Sequence, residues 1–102
     1  MSEKQYQTFK DFYPFYLSQH VNKICRLLHV IGSCIVILLI IYCIATQHYL
    51  LLLLTPVIGY GFAWVGHFIF EKNIPATFTY PVYSLMGDWV MWWQVLTGKI
   101  KL

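Results

Sequence analysis

At 102 residues the chain can hold one domain, and with 59% hydrophobic against 11% charged residues it lacks the polar side chains that coat a soluble one, where about 45–50% and 25% are usual. Mean hydropathy of +0.60 excludes disorder, and a net charge of only +3 excludes electrostatic wrapping of nucleic acid. Cys25, Cys34 and Cys43 stand nine residues apart with no CxxC pair, so they read as buried thiols, not as a disulfide or zinc framework. The composition is that of a small membrane protein.

Residues 1–23 interleave Tyr6, Phe9, Phe12, Tyr13, Phe15 and Tyr16 with Lys4, Lys10 and Asp11. That mixture predicts an aromatic-rich amphipathic helix at the membrane interface, bent or broken near Pro14. From residue 27 to residue 70 there follow 44 residues without Asp, Glu, Lys or Arg. One helix of that length would reach roughly 66 Å, about twice the hydrocarbon core, so the segment must turn. Thr46-Gln47-His48 is the polar interruption, giving a transmembrane hairpin with spans 27–45 and 49–70. The second span follows at once with no small-residue cleavage pattern between them, so the first reads as a retained helix and not a cleaved signal. Pro81 and Gly98 bracket a third, short membrane helix, 82–97. The expected architecture is an all-α integral membrane helical bundle forming a single domain, 1–102. Lys4, Lys10, Lys23, Arg26 and Lys72, five of the seven basic residues, fall on one side of the hairpin, which predicts a cytoplasmic N-terminus.

Polar residues at membrane depth are costly and therefore informative. The hairpin returns His67 to the level of His29, with His20 just upstream. His67 and Glu71 stand at i and i+4, on one helix face. His20 and His29 are nine residues apart, which on one straight helix would point them in opposite directions. Both can join a site only if the chain breaks between them, near Val21-Asn22-Lys23. Imidazoles with a carboxylate suit zinc or non-haem iron better than calcium or magnesium. His48 sits in the opposite turn, as a bystander. Gly59, Ala63 and Gly66 form a small-residue stripe that reads as close helix packing. Asp88 reads either as the hydrogen-bond partner of a ligand histidine or as a salt-bridge partner of Arg26 or Lys72.

Two runs carry a family resemblance. Phe12-Tyr13-Pro14-Phe15-Tyr16-Leu17-Ser18-Gln19-His20, then Asn22, Arg26, His29 and Gly32, resembles the opening motif of the 2-hydroxy fatty acid dioxygenase family. Ala63-Trp64-Val65-Gly66-His67-Phe68-Ile69-Phe70-Glu71-Lys72-Asn73-Ile74-Pro75-Ala76-Thr77-Phe78, with Tyr80-Pro81 and Ser84-Leu85-Met86-Gly87-Asp88, resembles its second. The resemblance implies an Fe(II) enzyme of the bacterial inner membrane or endoplasmic reticulum. It would use O2 to shorten a 2-hydroxy fatty acid by one carbon, with His20, His29 and His67 on the iron. Glu71 and Asp88 lie in the shared motif. A 2-hydroxy acid can chelate a metal through two oxygens, and Arg26, Lys23 or Lys72 could neutralise its carboxylate, with Arg26, three residues before His29, the favoured partner. Two other readings of the same residues are a non-enzymatic membrane adaptor knit together by its histidines, and a zinc-dependent membrane hydrolase.

Overall fold

The computed structural model describes residues 6–101; Glu3 and Lys4 lie outside the described residues. The chain is all-helical, with no strand among the described residues. Helix α1 covers Phe9–Ser18, with the Thr8 hydroxyl accepting from the Asp11 N–H at its start. Helix α2 covers Lys23–Thr46, and Asn22 caps it by accepting from the N–H groups of Ile24 and Cys25. At the far end Gln47 takes the left-handed conformation (φ 62°) that stops the helix. A 3-10 turn, Tyr49–Leu53, leads into α3, Leu54–Val65, which continues without interruption into a π-helical turn, Gly66–Glu71. After a short 3-10 turn, Ala76–Phe78, helix α4 covers Pro81–Leu96 with proline at its first position.

Lys23–Thr46 and Tyr49–Glu71 are each long and apolar enough to cross a membrane. Their outer faces carry Leu38, Ile41, Leu50, Leu53 and Val57 largely exposed. Such a belt is unfavourable in water and at no cost against lipid tails.

The amphipathic helix departs from expectation in two ways. Pro14 lies inside α1, which runs through it without a break. The proline gives up one backbone hydrogen bond, and the tertiary packing of its neighbours outweighs that loss. Phe12 and Tyr16 are fully buried, in a core with Ala76, Tyr80 and Met91. The aromatic face of α1 is thus spent inside the protein, on α4 and the turn before it. At one point this packing requires glycine: a Cβ on Gly87 would lie 2.9 Å from the Tyr16 ring.

Candidate metal centre

The site lies where the end of α1, the start of α2 and the π-helical turn meet. Helix α1 ends at Ser18 and α2 opens at Lys23, so the chain breaks between His20 and His29 as their spacing demands. The opposed directions of one straight helix become convergent. His20, His29 and His67 are buried, at 1%, 5% and 2% exposure, and the three offer ligand nitrogens all within 4.8 Å of one another. Their rings stand nearly perpendicular to one another, at 84°, 77° and 90°, with centroids 4.5, 4.4 and 4.9 Å apart.

Hydrogen bonds on the outer side of each ring fix which nitrogen faces inward. His20 Nδ1 is 2.6 Å from the Tyr16 carbonyl oxygen and His29 Nδ1 is 2.8 Å from that of Cys25. A carbonyl only accepts, so both Nδ1 atoms carry the proton. His67 Nδ1 is 2.7 Å from Asn73 Oδ1. The Asn73 amide is oriented by donating from Nδ2 to the Gln19 carbonyl and to Gln19 Oε1, so Nδ1 of His67 is again the donor. All three Nε2 atoms therefore present lone pairs. His20 and His29 Nε2 are 3.1 Å apart, a separation at which two facing lone pairs repel unless a cation lies between them. Two imidazole nitrogens each bound at about 2.1 Å to one ion stand roughly 3–3.4 Å apart. The donor set, its burial and its outer hydrogen bonds fit a metal that favours imidazole. Burial first, then the neighbouring His29 and His67, hold His20 well below the usual imidazole range, so it stays neutral as a ligand must.

The π-helical turn presents His67. Such turns recur at functional sites; here Gly66 abuts Cys25, and a Cβ at Gly66 would lie 3.1 Å from the Cys25 Cα. This is the close packing expected of the small-residue stripe. Gly59 and Ala63 do something else: they line a cavity of about 330 Å³. Their missing side chains leave volume between helices as well as letting helices approach. On α2 the cavity follows His29, Ser33, Val36 and Ile40, at i, i+4, i+7 and i+11 on one face, a run of roughly 16 Å along the axis. Its wall is mainly apolar, with Ser33, Thr55 and Tyr60 among the lining residues, and His29 and Asp88 lie at the end nearest the histidine cluster.

The remaining sequence candidates have other partners. Glu71 is not in the histidine group; its carboxylate accepts from the Asn22 N–H at 2.8 Å, tying the π-helical turn to the start of α2. Asp88 accepts from the Tyr16 hydroxyl and not from a ligand histidine. Tyr16 in turn stacks on His20, centroids 4.0 Å apart, so Asp88 reaches the centre through it. Arg26 donates through Nε and Nη2 to the His20 carbonyl, at 3.1 and 3.0 Å, and through Nη1 to that of Lys101. Its fork pins the loop that carries His20. His48 lies at the far end of the hairpin, against Thr46 and Tyr42. Sequence reasoning missed Asn73 and Tyr16 as supports. The four-residue step from Tyr16 to His20 was a usable signal, whereas the Asn73–His67 pairing depends on the π-helical turn.

The fold and site define a small helical protein with two membrane-length helices and a buried three-histidine cluster able to bind a metal. The chain matches the family described as 2-hydroxy-palmitic acid dioxygenase Mpo1-like over residues 6–100, and it belongs to that family. No curated protein and no solved structure matches it.

Proposed function

We propose that this protein is an Fe(II)-dependent dioxygenase that converts a 2-hydroxy fatty acid to the fatty acid one carbon shorter. The observation that carries the reading is the convergence of three neutral Nε2 lone pairs on one point, one of the three histidines, His29, also lining a mainly apolar cavity. The family description supports the substrate class. His20, His29 and His67 would hold the iron, which when bound supplies the means of engaging O2 and a 2-hydroxy acid together. Tyr16, Cys25 and Asn73 orient the three rings through their Nδ1 protons. The cavity takes the acyl chain from the bilayer, and its apolar wall keeps water from the reacting carbons. At about 330 Å³ it falls in the range of small-ligand sites, about 300–1,000 Å³.

The overall change balances with O2 as the sole oxidant. The bond between C1 and C2 breaks, C2 gains an oxygen to become the new carboxyl carbon, and C1 leaves as carbon dioxide. The substrate loses four electrons, O2 gains them, and one water forms. The hairpin sits in the bilayer with the N-terminus and the histidine layer at the cytoplasmic face.

The test is metal analysis of protein purified without affinity-resin metals, joined to oxygen uptake with 2-hydroxyhexadecanoate. Stoichiometric iron, oxygen consumption and pentadecanoate are expected. His20→Ala, His29→Ala or His67→Ala should each lose iron and turnover, and His48→Ala neither. A 3-hydroxy or unsubstituted acid of equal length should turn over far more slowly. Zinc with hydrolytic activity would replace the reading by a membrane hydrolase. Full folding without metal would replace it by an adaptor.

A further inference from the structure

Beside the histidines lies a second, smaller chamber of about 20 Å³, which shares His29, Tyr60, Ala63 and Asp88 with the long cavity. It is about the size of one water or one head-group oxygen, too small for a chain. Two of the residues lining it, Trp64 and Ser84, carry the buried side-chain polar atoms that lack a hydrogen-bond partner among the described residues, Trp64 Nε1 and Ser84 Oγ. Ser84 is 4% exposed. Buried polar groups are nearly always paired, because an orphan costs about 1–3 kcal/mol. Ser84 on α4 and Trp64 on α3 converge on this chamber from two different helices. The Trp64 indole is held by packing against Tyr60 and Phe78, so its N–H is not free to turn elsewhere.

We infer that Ser84 Oγ–H and Trp64 Nε1–H are the donors that receive the carboxylate of the fatty acid substrate, and so select for an acid head group. The inference rests on the proposed function for the substrate class. A carboxylate brought into an apolar site must find donors there. Arg26, three residues before His29, has three of its N–H groups committed to the His20 and Lys101 carbonyls. Asp88, also facing the chamber, is tied to the Tyr16 hydroxyl. Ser84 and Trp64 carry the fully buried donors that have no partner among the described residues, and both line the small chamber beside the histidines. The chain then extends along α2 while one carboxylate oxygen enters the small chamber.

The experiment compares Ser84→Ala and Trp64→Phe with the parent protein in detergent, under anaerobic conditions that prevent turnover. Equilibrium binding is measured for 2-hydroxyhexadecanoate and for 2-hexadecanol, which keeps the chain and the hydroxyl but has methyl in place of the carboxylate. Each substitution should weaken the acid by about tenfold or more, the effect of one hydrogen bond to a charged group, and leave the alcohol unchanged. Metal content should stay at the parent level. Melting of the ligand-free Ser84→Ala protein should be unchanged or raised, because the variant removes an orphaned hydroxyl. Unchanged affinity for the acid in both variants would overturn the inference; the chamber would then hold only water. A loss of stability in Ser84→Ala with acid binding intact would assign the hydroxyl to the fold and overturn it as well. Should Trp64→Phe fail to fold, Ser84→Ala carries the comparison alone. Selective loss of acid binding in a protein that consumes no oxygen would sustain this inference while refuting the oxygenase reading. Turnover with parent KM in both variants would do the reverse.

Discussion

Asn73 tests whether the outer hydrogen bonds tune the metal centre. Its Oδ1 accepts from His67 Nδ1 at 2.7 Å, and its Nδ2 ties the loop after the π-helical turn to the Gln19 carbonyl and side chain at 3.1 and 3.2 Å. Asn73→Ala removes the acceptor and leaves the ring N–H unpaired, at a cost of about 1–3 kcal/mol. The cost is greater with metal bound, because the cation polarises that N–H, so affinity falls as well as stability. Removing such a partner lowers metal affinity by about 10–100-fold, or about 1.4–2.8 kcal/mol. Asn73→Asp separates the two roles. It keeps an acceptor for His67 and loses both donations to Gln19. If the bond to His67 governs affinity, Asp should restore most of what Ala loses; if the tether to Gln19 governs it, Asp should resemble Ala. The assay is competition for the metal against a chelator of known affinity, with circular dichroism to confirm retained helix. Parent affinity in Asn73→Ala would refute the claim that the outer hydrogen bond to His67 Nδ1 tunes the metal centre.

Arg26→Ala should lower metal content, because two charge-assisted bonds to the His20 carbonyl are lost at about 1.5–3 kcal/mol each. Arg26→Lys should rescue poorly for want of the planar fork, and full metal in Arg26→Ala would point instead to a carboxylate-binding role. Gly66→Ala places a Cβ 3.1 Å from Cys25 Cα and Sγ, an overpacking worth about 1–3 kcal/mol. A lower melting temperature and weaker metal binding are expected together, since the Cys25 carbonyl also holds His29. For topology, single cysteines at Gln47 and Lys72 should react with a membrane-impermeant maleimide from opposite sides of sealed vesicles; reaction from one side would sink the hairpin.

Much of the architecture was legible in the sequence because it follows from one-dimensional quantities. The length of the uncharged stretch from 27 to 70 forces a turn, and the polar interruption at Thr46-Gln47-His48 marks it; α2 ends at Thr46. The same reasoning placed His29 and His67 at one depth and required a break after His20. The sequence could not assign the partners of Glu71, Arg26 and Asp88, because charge and spacing make several pairings equally reasonable. Tertiary contacts chose among them: Glu71 reaches the Asn22 N–H, Arg26 the His20 carbonyl, and Asp88 the Tyr16 hydroxyl. Nor could spacing reveal that a π-helical turn presents His67, since an extra residue per turn leaves no mark in hydrophobic periodicity. The burial of α1 against α4 was hidden for a related reason. An aromatic amphipathic helix gains from any apolar surface, lipid or protein, and only the packed structure supplies the one that Phe12 and Tyr16 meet. The residue types of the site and their spacing are thus properties of the chain, while the direction of each lone pair and the two buried donors without a partner among the described residues arise only when distant segments close on one point.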